Sequence, residues 1–255
     1  MQVPHHSKRF ASCSVLRTLC ACAAASLVGT GFASAQSGTA VFNKMEAHYN
    51  AASSFSATIT LTQSKKQGKP TGSIISTQHV LYRAPNKFRV ETAANGSGGM
   101  AAIHRHDLRM SDGAAMVEFD PATKKYISRP APPKLTAGQI LGLAVPTSGI
   151  KLLPATHVGA RAVWVVEVPV PPLPATISPQ QRGQIAPFLA PTVFYIDKQT
   201  NECLRIVHDA PAANTEVTFT SQSFKASVPA SLFHFVPPKG ATLVQPPAPG
   251  AQPHP

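Results

Sequence analysis

The sequence predicts a mainly antiparallel β protein with short helices, and three observations support this class. Proline is frequent, at 25 of 255 residues, which disfavours a helical bundle because each proline removes a backbone donor and breaks the helical hydrogen-bond ladder. Several short segments alternate between apolar and polar residues, as half-buried strands do. Short turn sequences join these segments with no helix between them, so neighbouring strands should pair antiparallel.

The first part of the chain has the order of residues that is typical of a secretory signal peptide. Three basic residues, Lys8, Arg9 and Arg17, precede an apolar stretch that ends in the small residues Ala33-Ser34-Ala35. A basic region, an apolar region and a small-residue cleavage site in this order direct a chain to export. We therefore expect residues 1–35 to be removed by cleavage after Ala35 and the protein to be periplasmic.

Two alternatives to a cleaved signal are disfavoured by the same residues. An uncleaved membrane anchor needs about 20 apolar residues, and the stretch Leu19–Ala33 is shorter and contains polar residues and glycines. Lipid attachment at Cys20 is disfavoured because Arg17-Thr18-Leu19, rather than small residues, precede it. We expect no transmembrane segment after signal cleavage.

The charge of the chain is basic but scattered. Loss of the three basic signal residues lowers the formal net charge from +12 to +9. No arginine-rich run with interleaved aromatic residues is present, so nucleic acid is not an expected partner. A basic exterior fits attraction to anionic lipid or to an acidic partner, or a charged surface that maintains solubility.

Periodicity predicts two short helices and about ten strands in a single domain, residues 36–244. The predicted helices are Thr39–Ala52 and Thr136–Val145, the second with Thr136 as its N-cap. The predicted strands are Phe55–Thr62, a segment that ends at Tyr82, Lys87–Thr92, Met100–Met110, Met116–Phe119, Lys125–Ser128, Ala162–Val170, Val193–Ile196, Cys203–His208 and Glu216–Phe224. A further segment, Ser231–Val236, should end the fold.

Proline and glycine mark the connections between these elements. Residues 168–191 contain seven prolines and are predicted to form a long surface loop, and residues 245–255 contain five and are predicted to form a disordered tail. Asn95–Gly99 should be a flexible loop. The strand pattern is compatible with a closed barrel, a sandwich or an open half-barrel covered by the helices.

Few residues are suited to catalysis or metal binding. His104 and His106 share one face of a predicted strand, as two metal ligands could, but no spacing specifies a third ligand, and a solvated polar face is the favoured interpretation. Cys203 remains alone after signal cleavage and is expected to pack in a strand. The chain has no G-x-S-x-G, H-E-x-x-H or phosphate-binding glycine motif. We expect no catalytic residues, no metal, no cofactor and no enzymatic activity.

Six segments occur in an order that is typical of one known superfamily. They are Ser54–Thr58 with Gln63, Tyr82–Glu91, Ser111–Gly113, Glu118–Pro121, Phe194–Asp197 and Leu232–Ala241. In this order they resemble the LolA/LolB-like lipoprotein-carrier superfamily, including its uncharacterised periplasmic branches, and the resemblance covers about Thr39 to Val244.

This resemblance implies a strongly curved antiparallel half-barrel with a helical lid over an apolar cavity. In such proteins the cavity holds the acyl chains of a lipoprotein or another lipid. An apolar face costs about 25 cal/mol per Å² when it is wet, so a lid or a lipid should cover it. On this basis the predicted cavity residues are Phe55, Ile59, Leu61, Phe88 and Trp164.

The resemblance also implies lid residues. In the lipoprotein carrier of this superfamily, an arginine directly before the proline of a strand turn gates the lid. Here Ala84 has that position, and the arginine is Arg83, whose side chain should point to the opposite face of the strand. Arg83, Ile140 and Leu141 are the predicted lid or gating residues.

The function that the resemblance implies is a periplasmic carrier or sensor, not an enzyme, for lipid or lipoprotein acyl chains. The alternative is a non-enzymatic envelope scaffold or stress-sensing interaction protein that uses the same fold to bind envelope proteins.

Overall fold

The structure is a computed structural model, and it describes residues 36–66, 72–143 and 148–245. The predicted signal peptide and nearly all of the predicted tail lie outside the described residues. Within the described ranges the chain forms three short helices, α1 Gly38–Asn50, α2 Ala137–Ile140 and α3 Pro179–Ile185, and two 3-10 turns, Ala186–Phe188 and Ala230–Phe233.

Twelve strands of the described ranges form one sheet. Their bounds are β1 Ser54–Lys65, β2 Gly72–Arg83, β3 Lys87–Gly98, β4 His104–Asp112, β5 Ala115–Asp120, β6 Lys125–Pro130, β7 Lys151–Val158, β8 Arg161–Val168, β9 Thr192–Asp197, β10 Cys203–Asp209, β11 Ala213–Ser223 and β12 Thr242–Leu243.

The order of strands shows that the sheet is open. It runs β12-β6-β5-β4-β3-β2-β1-β11-β10-β9-β8-β7, and in the described residues its two ends, β12 and β7, do not pair with each other. Every pair is antiparallel except the short parallel pair of β12 with β6. The predicted fold class is confirmed: of the three architectures compatible with the strand pattern, the chain adopts the curved, half-barrel-like open sheet.

Helices α1 and α2 cover one face of this sheet, which we call the inner face. It carries Tyr82 on β2, which pairs directly with Phe55 on β1 and with Phe88 on β3. Helix α1 contacts α2, β7 and β8. Its N-cap residue is Ser37, whose hydroxyl accepts a hydrogen bond from the Ala40 N–H at 3.1 Å. The main hydrophobic core lies between α1 and the inner face.

Several boundaries differ from the predicted ones for identifiable reasons. Asn95–Gly98 is part of β3 rather than a flexible loop, because the start of β2 pairs with it. Strand β7 was not predicted, since it contains Pro154 and a register shift that interrupts its alternation. The Ser231–Val236 segment does not end the fold, because its first part belongs to the 3-10 turn Ala230–Phe233 and the short strand β12 follows at Thr242–Leu243.

The proline-rich segment also has structure. It enters no strand between Val168 and Thr192, but it contains α3 and the turn Ala186–Phe188. Ser178 and Gln181 form a reciprocal capping box at the start of α3, with Pro179 in its first turn. The turn Ala186–Phe188 contacts the connection between β10 and β11 through a hydrogen bond from the Ala212 N–H to the Pro187 carbonyl at 2.9 Å.

Candidate ligand-binding site

Helix α1 closes the centre of the inner face with aromatic packing. Phe42 and Tyr49 are fully buried. The ring of Phe42 packs edge-on against Phe194 with centroids 5.2 Å apart, and Tyr49 packs against Phe55 and Phe224 at 5.6 and 5.1 Å. Edge-to-face pairs of this kind stabilise a core beyond their buried area.

A hydrogen-bonded clamp fixes α1 to the sheet. The Tyr49 hydroxyl donates to the side-chain oxygen of Gln222 and accepts from the Cys203 N–H at 3.1 Å. The Gln222 amide in turn donates to the Cys203 carbonyl at 2.8 Å. Burial raises the pKa of the Tyr49 hydroxyl well above its ordinary value, so Tyr49 stays a neutral donor. Helix α1 is therefore an integral part of the core.

The segment around α2 covers the core beside α1, and two sheet residues hold it. The Asn86 amide donates to the Pro133 carbonyl at 2.7 Å, and its oxygen accepts from the Leu135 N–H at 2.6 Å. The Tyr82 hydroxyl donates to the Leu135 carbonyl at 3.1 Å. We call residues 133–143 the cover segment.

The cover segment is closely packed as well as hydrogen-bonded. Leu143 is fully buried, and Gly138 lies so close to the end of α1 that a Cβ atom there would meet the side-chain oxygen of Asn50 at 2.9 Å. Thr136 and Gln139 form a capping box for α2, which agrees with the predicted N-cap. Burial raises the pKa of Tyr82, which keeps its hydroxyl as a donor.

The predicted cavity residues fall into two groups. Phe55, Ile59 and Phe88 are buried within the core beneath α1, while Leu61 and Trp164 are half-buried at its margin. Trp164 also lies beneath the Lys198 ammonium, 4.2 Å from the ring centroid. In the described conformation the protein's own side chains thus fill the central part of the inner face.

The predicted lid residues also separate. Ile140 and Leu141 belong to the cover segment and pack half-buried against the core. Arg83 is exposed on the other side of the strand from Tyr82 and pairs in the sheet with Ser54 and Lys87. The contacts to the cover segment come from Tyr82 and Asn86, which the sequence analysis did not single out.

An apolar groove remains open on the inner face beyond the core. It has a volume of about 410 Å³ at the ends of β1, β2, β10 and β11. The turn after α3 forms one wall, where the Phe188 carbonyl lies 2.9 Å from the His208 Nε2 atom and the Phe188 side chain is 49% exposed. The lining residues are Gln63, Ser64, Lys65, Ile74, Met100, Phe188, His208, Ala210, Ala213 and Thr215.

A second groove, of about 570 Å³, lies on the inner faces of β2 to β6 and is charged. Its charged lining residues are Arg105, Asp107, Arg109, Glu118, Asp120 and Lys125. Hydrogen bonds from the Thr123 hydroxyl and the Ala122 N–H lower the pKa of Asp120, so this carboxylate is engaged by its own turn.

The two histidines and the cysteine that could bind a metal or react have the surroundings of surface and core residues. His104 and His106 are exposed, and the His104 Nδ1 atom lies 3.0 Å from the Asn95 side-chain oxygen. Cys203 is buried and forms no disulfide within the described residues, and burial raises the pKa of its thiol. Within residues 36–66, 72–143 and 148–245, no cluster of three or more His, Cys, Asp or Glu is arranged to hold a metal ion.

No helix in the described part of the chain is long and apolar enough to cross a membrane.

Comparison with known protein families gives a match over part of the chain. A family described as "Predicted periplasmic protein (DUF2092)" matches residues 38–152, and the chain is similar to it over that range. A search of curated proteins found no match.

Similar solved structures include members of the predicted superfamily. An uncharacterized conserved protein from Thermus thermophilus is 13% identical, with 80% of this chain and 98% of that chain covered and a TM-score of 0.47. LprF from Mycobacterium bovis is 11% identical, with 75% and 95% covered and a TM-score of 0.41. A LolA superfamily protein from Nitrosomonas europaea is 10% identical, with 78% and 98% covered and a TM-score of 0.33. The chain is therefore similar to a protein of the superfamily that its sequence resembles, and at these scores the similarity carries no argument about function or ligands.

Proposed function

We propose that this protein is a non-enzymatic periplasmic binding protein that carries the acyl chain of a lipid or lipoprotein. The observation that carries the proposal is the open apolar groove on the inner face, next to the core and bordered by Phe188. The description of the matching family as periplasmic supports the location.

The groove has suitable size and chemistry for a chain of methylene groups. Its volume of about 410 Å³ lies within the range of roughly 300–1,000 Å³ that is common for small-molecule sites. Ile74, Met100 and Phe188 provide apolar contact, and each methylene removed from water contributes up to about 0.8 kcal/mol. Binding of this kind needs apolar area and no reactive group.

Affinity should therefore depend on acyl chain length in a defined way. We expect neutral monoacylglycerols to displace a fluorescent acyl probe, with up to about fourfold tighter binding for each added methylene. The increase should stop when the chain is longer than the groove. A neutral series is chosen so that a charged head does not contribute.

A groove-filling variant tests the location of the site. Ala213→Phe places a ring in the groove, and because the space is open its effect on the melting temperature should be small. We expect probe affinity to fall by about tenfold or more. Ala162→Phe is the matched control, since Ala162 is an exposed strand alanine that does not line the groove.

Two results would overturn the proposal. If the unmodified protein binds no acyl probe, the carrier function is wrong and the alternative, a scaffold for envelope proteins, replaces it. If Ala213→Phe binds the probe as tightly as Ala162→Phe does, the acyl chain does not occupy this groove.

A further inference from the structure

The charged groove and the apolar groove share the inner face of one strand. Ile74 lines the apolar groove and Gln78 lines the charged groove, and both lie on β2 with their side chains on the same face. At about 3.3 Å per residue, the two positions are about 13 Å apart. A single extended molecule of lipid size reaches both.

Most charges in the charged groove are already paired. Arg105 forms an ion pair with Asp107, and Glu118 forms one with Arg129. Asp120 accepts hydrogen bonds from Ala122 and Thr123 in its own turn. The acidic groups of the groove therefore have partners within the protein.

Two cations of the groove do not have such partners among the described residues. Within those ranges, Arg109 on β4 and Lys125 on β6 make no ion pair and no side-chain hydrogen bond. They flank β5 on the inner face, about 12 Å apart when two strand spacings are combined with an offset of two residues along the strands, and both side chains are long enough to reach a ligand placed between them. The groove therefore has two positive charges that form no ion pair with a carboxylate of the described residues.

We propose that Arg109 and Lys125 bind the anionic, phosphate-type head of the ligand whose acyl chain occupies the apolar groove. This inference rests on the proposed function and adds the chemical class of the ligand: an amphiphile with a negative head. A guanidinium donates two parallel hydrogen bonds to a phosphate, and an ammonium adds a point charge. Since the groove is open to water, the attraction should weaken with added salt.

The test compares two short-chain lipids that differ in the head alone. Dihexanoyl phosphatidic acid carries a phosphate, and dihexanoylglycerol has the same acyl chains and no charge. Inorganic phosphate serves as a head without a chain. Calorimetry measures each probe with the unmodified protein, with the double variant Arg109→Gln/Lys125→Gln, and with the control Lys44→Gln/Lys225→Gln, which removes two exposed lysines outside both grooves.

We expect the unmodified protein and the control to bind the phosphatidic acid about tenfold more tightly than the neutral lipid. The double variant should lose this preference and keep its affinity for the neutral lipid. Measurable binding of inorganic phosphate that the double variant loses would also support the anion site, and would show that a free phosphate as well as a lipid head enters it.

The failures of the two proposals are distinguishable. If the neutral lipid binds and the phosphate adds nothing, or if the double variant keeps the preference, the head-group inference is wrong and the acyl proposal stands. If neither lipid binds, the proposed function fails. A circular dichroism melt of the double variant verifies that it is folded.

Discussion

Asn86 should control how firmly the cover segment closes the core. Its side-chain amide donates one hydrogen bond to the Pro133 carbonyl and accepts one from the Leu135 N–H. Asn86 is only 8% exposed. The backbone at Asn86 has φ of 58°, a left-handed conformation that glycine and asparagine adopt more readily than alanine. These two contributions are separable by substitution.

The expected magnitudes follow from those contacts. Asn86→Gly removes both hydrogen bonds but permits the backbone conformation, so we expect a loss of about 1–3 kcal/mol in the free energy of unfolding, at about 0.5–1.5 kcal/mol per bond. Asn86→Ala should cost about 1–2 kcal/mol more, because alanine adds the strain of the left-handed conformation.

A second asparagine provides the matched control. Asn201 has φ of 59° and no side-chain hydrogen bond to the cover segment in the described residues. Asn201→Gly should therefore be nearly neutral, and Asn201→Ala should show the strain alone.

Urea unfolding gives the free energies, and hydrogen exchange of residues 135–143 reports local opening of the cover segment. We expect faster exchange there in Asn86→Gly than in Asn201→Gly. Equal stability and equal exchange in those two glycine variants would show that the Asn86 amide does not hold the cover segment.

Two further predictions concern the fixed part of the fold. Tyr49→Phe should lower the free energy of unfolding by about 1–3 kcal/mol. Its effect should be non-additive with that of Gln222→Ala, because Tyr49 and Gln222 both bind the backbone of Cys203. Additive losses of stability in a double-mutant cycle would disprove the clamp. For Asp197, burial alone raises the pKa, but hydrogen bonds from two backbone N–H groups and from Arg161 outweigh burial and hold it below its ordinary value. A carboxyl with a lowered pKa stabilises the fold above about pH 4 and loses that effect as the pH falls through its folded pKa. Asp197→Asn should therefore be about 1–3 kcal/mol less stable than the unmodified protein at neutral pH, and the difference should shrink below about pH 4; urea unfolding that shows a constant difference down to about pH 2 would contradict this.

The fold was predictable from sequence where local signals and tertiary packing agree. The alternation Phe55-Ala57-Ile59 gave the correct inner face of β1, and Thr136 correctly marked the start of α2. Strand β7 escaped prediction because its pairing with β8, rather than its own pattern, makes it a strand. The parallel pairing of Thr242 with Lys125 joins distant segments and has no local signal.

The site was less predictable, because its grooves depend on side chains from several strands. Alternation marked apolar residues but could not distinguish Ile59, which is buried in the core, from Ile74, which lines a groove. The wall at Phe188 belongs to a proline-rich segment whose capping box at Ser178 was the available but overlooked signal. Arg109 and Lys125 are distinguished from Arg105, the third cation of the charged groove, by the ion pair that they lack within the described residues, and this requires the folded structure.

The most direct test of the central claim is native mass spectrometry of the protein purified from the periplasm. The account predicts the mass of the folded chain together with discrete adducts that dissociate as intact lipids, and it predicts that Ala213→Phe retains fewer of them than Ala162→Phe. Unliganded protein alone, under conditions that preserve the lipid complex of a reference carrier purified in parallel, would contradict the claim that this protein binds acyl chains.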